Sequence, residues 1–262
     1  MSRTICMLIS IPNEESFNNC TLSLKSIRVA FPNDKIEVSL GRCSLEQQEA
    51  VYEMCKKVNS SFTRYDFNYH HAEFIKDKIE VHDNQNNELI IVDPDMVFHK
   101  EWEFTYNTIL AGSYVPLMWN EWAQCISYPR LHTSFLCIKD CEQLRKAIDS
   151  YYPTKDGWVL TDPYYPRVMS GMGRKVFWDT CAGLLDVTPA TYFGEKEYNQ
   201  FDHVNSSSFV TEMGKRMEYG KEFLQHHERI SRNPELLVGF WRESEAYYLR
   251  MHQKAMNILA QS

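Results

Sequence analysis

The sequence predicts an α/β domain in which a mostly parallel sheet is flanked by helices on both faces. Short apolar runs, typical of strands buried on both faces, occur at residues 4–11, 36–40, 62–67 and 89–92. Segments with helical apolar periodicity separate these runs, which indicates right-handed βαβ units over the first hundred residues. Polar or turn residues follow the runs, at the strand ends where such folds bind ligands.

The first helix has clear boundary signals. We expect it to begin after Ser16, which can serve as its N-cap, and to end at residues 31–34, where Pro32 stops it. The helix is predicted to direct four apolar side chains inward: Leu22, Leu24, Ile27 and Ala30. The strand that follows, residues 36–40, closes at Gly41.

The second helix carries a capping box. Ser44 is followed three residues later by Gln47, which predicts a helix from there to about Val58. We then expect a strand over residues 62–67, a helix over 72–81 and a strand over 89–92.

Beyond residue 100 the pattern is less regular. We expect a helix over residues 101–110, strands over 113–118 and 134–138, and a helix over 140–148. Residues 150–175 are rich in Tyr, Pro, Gly and Asp, which predicts a long loop near the functional face. Two amphipathic helices are predicted at residues 211–227 and 234–260.

The composition excludes several classes of protein. With 44% hydrophobic and 24% charged residues, the chain has the balance of a globular protein rather than a disordered one. Its longest apolar runs are far short of the roughly 20 residues that cross a bilayer, and its N-terminus lacks the pattern of a signal peptide. A formal charge of −7 disfavours a general polyanion binder.

The metal-binding residue types give few local signals. None of the eight cysteines has Cys-x-x-Cys spacing, so we expect buried, reduced thiols in a cytoplasmic protein, and neither a zinc site nor a disulfide framework. The pair His70 and His71 has no third ligand nearby in the sequence, so we expect no separate metal site there.

The most informative segment is Asp93-Pro94-Asp95, which directly follows the apolar run at residues 89–92. Two carboxylates one residue apart at the carboxyl end of a strand suit a hard cation such as Mg²⁺ or Mn²⁺ together with a diphosphate. The alternative is an ordinary Asx-type turn that binds nothing.

The order of these features resembles the nucleotide-binding half of family 2-like GT-A glycosyltransferases. The resemblance depends on three segments that follow strands: Pro12-Asn13-Glu14, Gly41-Arg42-Cys43-Ser44 and Asp93-Pro94-Asp95. It covers residues 4–100 well and extends more weakly to about residue 210. It implies a GT-A-like domain over residues 1–210, with a nucleotide-binding half at 1–100 and an acceptor half at 101–210, and a C-terminal helical extension at 211–262.

The resemblance also implies roles for individual residues. The loop after the first strand is expected to contact the nucleobase and ribose through Ser10, Ile11, Pro12 and Glu14. Asp95 matches the aspartate that binds the metal in this family. Asp93 matches the aspartate that touches the ribose or a metal-bound water.

Two arginines are further candidates for the donor site. Relatives commonly carry an acidic residue after the second strand, whereas this chain has Arg42, which we expect either to meet phosphate or to face solvent. Arg130 precedes the strand at residues 134–138 and is expected either to lie near the sugar or diphosphate or to be a plain loop residue.

A histidine in a late loop is the candidate third metal ligand. The segment around His203, at residues 201–208, resembles the loop that supplies this ligand in many GT-A enzymes. A neutral imidazole beside two carboxylates suits Mn²⁺ better than Mg²⁺. The alternative is that His203 is an ordinary loop residue.

Asp179 is the candidate catalytic base. The segment at residues 178–183, which contains Asp179, resembles the one that carries the acceptor-side acid in this family. In inverting enzymes that acid deprotonates the attacking hydroxyl. A helix N-cap is an equally suitable role for an aspartate there. Asp162 and Glu121 are the poorer alternatives, and a retaining enzyme would need no conventional base.

The resulting expectation is a metal-dependent hexosyl- or pentosyltransferase that uses a nucleotide-diphosphate sugar, with UDP as the expected nucleotide. The acceptor is a hydroxyl on a glycan, a protein or a modified DNA base. Two other functions stay open: a nucleotidyltransferase, which usually needs a Gly-rich loop that residues 12–16 lack, and a non-catalytic sugar-nucleotide-binding module that forms homo-oligomers through its C-terminal helices.

Overall fold

The computed structural model describes residues 2–11, 14–67, 71–115, 118–120, 125–127, 130–151, 190–198, 200–203, 253–254 and 257. The strands are β1 (Ser2–Ile9), β2 (Lys35–Leu40), β3 (Ser61–Arg64), β4 (Asn87–Val92), β5 (Met96–Phe98), β6 (Leu110–Val115), β7 (Met118–Asn120), β8 (Cys125–Ser127), β9 (Arg130–Ile138), β10 (Ala190–Tyr192) and β11 (Phe201–His203). The helices are α1 (Glu14–Ala30), α2 (Leu45–Lys57), α3 (His71–His82), α4 (Cys141–Tyr151) and α5 (Glu195–Tyr198).

Seven strands form the central sheet, in the order β10-β6-β9-β4-β1-β2-β3. β9 is antiparallel to both of its neighbours, and the other strands run parallel to one another. Because helices cover both faces, the predicted α/β class with a mostly parallel sheet flanked by helices is confirmed. Of the loop predicted at residues 150–175, residues 150–151 belong to α4 instead, because the helix continues to Tyr151, and the rest lies outside the described residues. Nearly all of the predicted C-terminal extension also lies outside them.

The apolar strands are buried on both faces, as their composition predicts. Alternate residues of β1 enter different cores: Ile5 and Met7 pack on one face, and Cys6 and Leu8 pack on the other. Helices α1 and α2 cover the first face, and α3 and α4 cover the second. This double burial explains why the runs are continuously apolar instead of alternating.

The helix starts agree with the sequence signals at α2 and differ at α1. Ser44 Oγ accepts from the Gln47 N–H and the Gln47 side chain accepts from the Ser44 N–H, so the capping box is confirmed. α1, however, begins at Glu14, so Ser16 lies inside the helix and the predicted N-cap is wrong. Two glutamates in the first turn favour the longer helix because acidic side chains complement the positive end of the helix dipole.

The helix predicted over residues 101–110 is wrong. Residues 101–107 have no regular secondary structure, and β6 begins at Leu110. Trp102 and Tyr106 are buried and Phe104 is half-buried between them, whereas the residues between these aromatics are exposed. Burial of every second residue is the period of an extended chain and not of a helix.

A cluster of aromatic rings joins the central sheet to a small second sheet. β5 and β11 form this antiparallel pair. Phe201 of β11 lies 5.0 Å from Phe135, 5.9 Å from Trp102 and 6.2 Å from Phe98, measured between ring centroids. Phe193 completes the cluster. The rings therefore fix β11 beside the strand that follows Asp95.

Among the helices that the structure describes, none is long and apolar enough to span a bilayer. The described cysteine side chains are free thiols at Cys6, Cys20, Cys43, Cys55, Cys137 and Cys141.

Candidate functional site

The carboxyl ends of β1 and β2 lie side by side at one edge of the sheet. The Gly41 N–H donates to the Ile9 carbonyl at 2.9 Å, which brings the residues after each strand together. Ser10 and Arg42 are exposed there, and Ile11 is buried. Three of the predicted donor-binding residues are thus neighbours at the edge where α/β sheets bind ligands.

Two further predicted donor-binding residues precede or begin α1. Glu14 is the first residue of that helix, and Pro12 lies outside the described residues. The loop that joins β1 to α1 therefore starts from the same edge as Arg42.

The Asp93-Pro94-Asp95 segment forms a tight turn between β4 and β5. The Asp93 N–H donates to the Ser134 carbonyl at 2.8 Å, and the Met96 N–H donates back to the Asp93 carbonyl at 3.2 Å. Both aspartates are half-buried, whereas Val92 and Met96 on either side are buried. The turn is therefore anchored at both ends and presents two carboxylates at the sheet edge.

His71 is a site residue that sequence reasoning missed. Its Nε2 lies 3.0 Å from Oδ1 of Asp93, and both side chains are half-buried. Because His71 begins α3, the helix start places its ring against the carboxylate. The only sequence signal was the position of a histidine before a helix that follows a strand.

The structure places His203 beside the aspartate turn. β11 is antiparallel to β5, and the register pairs His203 with Met96 and Asp202 with Val97. His203 thus lies opposite the residue that directly follows Asp95, although the two are far apart in the sequence.

Gln200 holds β11 in this register. Its backbone carbonyl accepts from the His99 N–H at 3.0 Å. Its side-chain amide accepts from the Glu103 N–H at 2.8 Å and donates to the Glu103 carbonyl at 3.0 Å. The buried Gln200 side chain thus bonds both the N–H and the carbonyl of Glu103, and these bonds fix β11 against the segment that follows β5.

The structure describes the position of Arg130 but not those of the candidate catalytic bases. Arg130 is the first residue of β9 and pairs with Val115, so it belongs to a strand and not to the loop that the sequence suggested. Because β9 is antiparallel, its early residues lie toward the edge that carries Asp93, whose N–H bonds to Ser134. Asp179, Asp162 and Glu121 lie outside the described residues.

The edge combines oxygen donors of the aspartate turn with the strand that carries His203. Two aspartates belong to one turn, and the backbone of a histidine lies on the strand paired with β5; these are residue types that divalent cations such as Mn²⁺ accept as ligands. His71 adds a contact behind Asp93, the kind of outer contact that orients metal-binding carboxylates.

Replacing His71 with alanine should lower the affinity for Mn²⁺ about tenfold or more, because Asp93 loses the group that orients it. His71→Gln, whose amide N–H can reach the same oxygen, should recover part of that loss. Lys76→Ala on the same helix is the matched control, since in the described part of α3 the ion pair of Lys76 is with Glu80, one turn away. An unchanged Mn²⁺ titration in His71→Ala would contradict this role.

Comparison with known proteins gives distant likenesses of fold. No protein-family model and no curated protein matches the sequence. Among solved structures, the chain is similar to the galactosyltransferase LgtC in complex with donor and acceptor sugar analogues, with 12% identity, a TM-score of 0.43, and coverage of 75% of this chain and 74% of that one.

Two other solved structures are similar at the same level. The mannosyltransferase PcManGT from Pyrobaculum calidifontis, in complex with GDP-Man and Mn²⁺, has 9% identity, a TM-score of 0.45 and coverage of 99% and 75%. The 4-diphosphocytidyl-2C-methyl-D-erythritol synthase from Anaerococcus prevotii DSM 20548 has 8% identity, a TM-score of 0.43 and coverage of 75% and 90%. These values describe folds alone, so no residue role or substrate is transferred from them.

Proposed function

We propose that this protein is a metal-dependent glycosyltransferase that moves a sugar from a nucleotide-diphosphate sugar to a hydroxyl acceptor. The observation that carries the proposal is the anchored turn with Asp93 and Asp95 at the carboxyl end of β4, beside the strand that ends at His203. UDP is the proposed nucleotide, and a glycan, a protein or a hydroxylated DNA base is the proposed acceptor.

The donor set fits a divalent cation. Asp95 and His203 would hold it, with Asp93 as a further ligand or as the contact to ribose or a metal-bound water, and Mn²⁺ suits this mixture of oxygen and nitrogen better than Mg²⁺. When bound, such a cation neutralises the negative charge that develops on the leaving diphosphate.

The carboxyl ends of β1 and β2 are proposed to bind the rest of the donor. Ser10, Ile11, Pro12 and Glu14 are assigned to the base and ribose because they follow β1 at this edge. Arg42 is exposed beside them and can meet a phosphate as a charge-assisted donor. Arg130, at the start of β9, is assigned to the sugar or diphosphate.

Asp179 is the proposed general base, and its conservative substitution separates the two roles that the sequence allows. Asp179→Asn should preserve shape and capping while removing the proton acceptor, so donor binding survives and transfer falls about a hundredfold or more. If Asp179 only caps a helix, transfer persists in Asp179→Asn and Asp179→Ala costs about 1 kcal/mol of stability. Transfer rates and melting temperatures of both variants decide between these roles.

The proposed function is tested by the products that form. The protein is incubated with Mn²⁺ and a panel of sugar nucleotides, and the release of nucleoside diphosphate is measured. Release that depends on Mn²⁺ and on Asp95 supports a glycosyltransferase. Release of pyrophosphate from a nucleoside triphosphate and a sugar phosphate would show a nucleotidyltransferase instead. Binding of sugar nucleotides without turnover of donor, even with candidate acceptors present, would show a non-catalytic module.

A further inference from the structure

A second group of metal-ligating side chains lies inside the molecule, on the sheet face that α3 covers. Cys6 of β1 and Glu37 of β2 are opposite each other in register, and His82 ends α3 above them. Their ligand atoms all lie within 4.8 Å of one another. His82 and the His71 contact to Asp93 are at opposite ends of α3, about 16 Å apart along its axis. The group is therefore separate from the Asp93 edge.

The orientation of His82 is fixed by its outer neighbour. Nδ1 lies 3.0 Å from Oε1 of Gln85, whose amide nitrogen donates to the Val81 carbonyl at 3.2 Å. Because that bond turns the Gln85 oxygen toward the ring, the tautomer with its hydrogen on Nδ1 can donate to Gln85. In that tautomer the lone pair of the neutral imidazole is on Nε2. A histidine that donates its other ring N–H in this way is the usual arrangement at metal sites.

Nε2 of His82 points into the group without a hydrogen-bond partner. The ring is only 1% exposed, and Nε2 lies 3.8 Å from Oε2 of Glu37. A buried nitrogen lone pair that faces a carboxylate oxygen is unfavourable unless positive charge lies between them. The pair therefore offers one nitrogen and one oxygen ligand to a cation, in a place where Lys78 is the positive charge that now contacts Glu37.

The third group has the right separation for the same cation. Sγ of Cys6 lies 3.6 Å from Oε2 of Glu37, with the thiol donating. Ligands bound to one tetrahedral Zn²⁺ at its usual bond lengths lie about 3.3–3.5 Å from one another. The distances from Glu37 to Cys6 and to His82 are therefore within a few tenths of an ångström of that geometry.

We propose that Cys6, Glu37 and His82 form a binding site for a thiophilic divalent cation of the zinc class. Binding replaces the thiol proton of Cys6, which leaves to solvent, and forms bonds from the cation to one sulfur, one oxygen and one nitrogen. Three protein ligands leave the fourth position to water. The site ties β1 and β2 to α3, the helix whose other end contacts Asp93.

Lys78 is the competitor for this site. Its Nζ lies 2.9 Å from the same Glu37 oxygen, and Lys35 binds the other oxygen at 2.7 Å. The ammonium of Lys78 supplies the positive charge that the carboxylate needs when no metal is bound. Burial raises the pKa of the Cys6 thiol, with Lys78 acting in the opposite direction, so the cation also competes with the thiol proton.

Cobalt is the probe that tests the site, because a cysteine thiolate bound to Co²⁺ gives a charge-transfer absorption in the near ultraviolet. The Asp95→Ala variant is titrated with Co²⁺, so that the carboxylate edge does not contribute. We expect a charge-transfer band that saturates at one equivalent and is abolished by added Zn²⁺. The test needs no transferase activity and is independent of the proposed function.

Matched variants show whether the sulfur is that of Cys6. In the same background Cys6→Ser should lose the band, whereas Cys20→Ser should keep it, since Cys20 is an equally buried thiol whose pKa is also raised by burial. Absence of a band in the parent, retention in Cys6→Ser or equal loss in Cys20→Ser overturns the proposal.

A second variant protects the test against misfolding of Cys6→Ser. Lys78→Met removes the competing ammonium while keeping an apolar side chain of similar length, so the affinity for Co²⁺ and Zn²⁺ should rise about tenfold. Zinc should also raise the melting temperature of this variant more than that of the parent, because a ligand of the native state stabilises it by mass action. Unchanged or weaker affinity in a folded Lys78→Met overturns the proposal.

Discussion

Replacing Asp95 with alanine should abolish metal-dependent donor binding while leaving the fold intact. Asp95 lies in the turn between β4 and β5, where backbone bonds of Asp93 and Met96 hold the chain independently of the Asp95 side chain. The variant removes one oxygen ligand from a site with few ligands, so the affinity for Mn²⁺ and for a sugar nucleotide should fall below detection. Titration calorimetry and circular dichroism measure the two effects.

Asp66→Ala is the matched control for that loss. Asp66 also follows a parallel strand at the same end of the sheet, but it is exposed and pairs with Arg64 at 3.0 Å. It should retain the donor affinity of the wild type. Asp93→Ala should weaken binding less than Asp95→Ala if Asp93 acts through water or ribose. Wild-type donor affinity in Asp95→Ala would remove the turn from the donor site.

Replacing Phe201 with alanine should have the largest effect on stability, about 3–5 kcal/mol of unfolding free energy. The Phe201 side chain is fully buried and contacts Phe98, Trp102 and Phe135, so its removal leaves a cavity between the two sheets. Because His203 lies two residues further along β11, the same variant should also lower the affinity for Mn²⁺. Chemical denaturation and metal titration measure these two effects.

Phe67→Ala is the matched aromatic control. Phe67 is 53% exposed, so its loss should cost less than about 1 kcal/mol. A Phe201→Ala variant with wild-type stability would contradict the packing role of the cluster. Normal Mn²⁺ affinity in a destabilised but folded Phe201→Ala would separate β11 from the metal site.

Much of the central sheet was predictable because its signals are local. Residues 89–92 are apolar because β4 is buried on both faces, and Asp93 breaks the run where the strand ends. The capping box of Ser44 and Gln47 depends on residues three apart, so it too is visible without tertiary information. The edge position of Asp93 and Asp95 follows from the first of these signals, the end of the apolar run.

The remaining features depend on contacts between distant parts of the chain. The register of His203 with Met96 depends on the burial of Phe201 and on the bonds of Gln200 to Glu103. The sequence around residues 201–203 indicates neither the burial of Phe201 nor the bonds of Gln200. The misassigned helix at residues 101–110 has the same cause, because Trp102 is fixed by aromatic packing and by its N–H bond to the Ala30 carbonyl.

The buried group on the other face was hidden for a related reason. Cys6, Glu37 and His82 come from three elements, so no short spacing such as Cys-x-x-Cys marks them. Likewise, the contact of His71 with Asp93 becomes visible only when α3 is placed beside the end of β4.

The central claim is that Asp95 and its neighbours bind a sugar nucleotide through a divalent cation. Calorimetry of UDP-sugars with the wild-type protein, in Mn²⁺ and after chelation, tests it most directly, with Asp95→Ala measured in parallel. The account predicts saturable binding by the wild type in Mn²⁺, and loss of that binding both on chelation and in Asp95→Ala. Equal affinity with and without the metal, or equal affinity in Asp95→Ala, would contradict it.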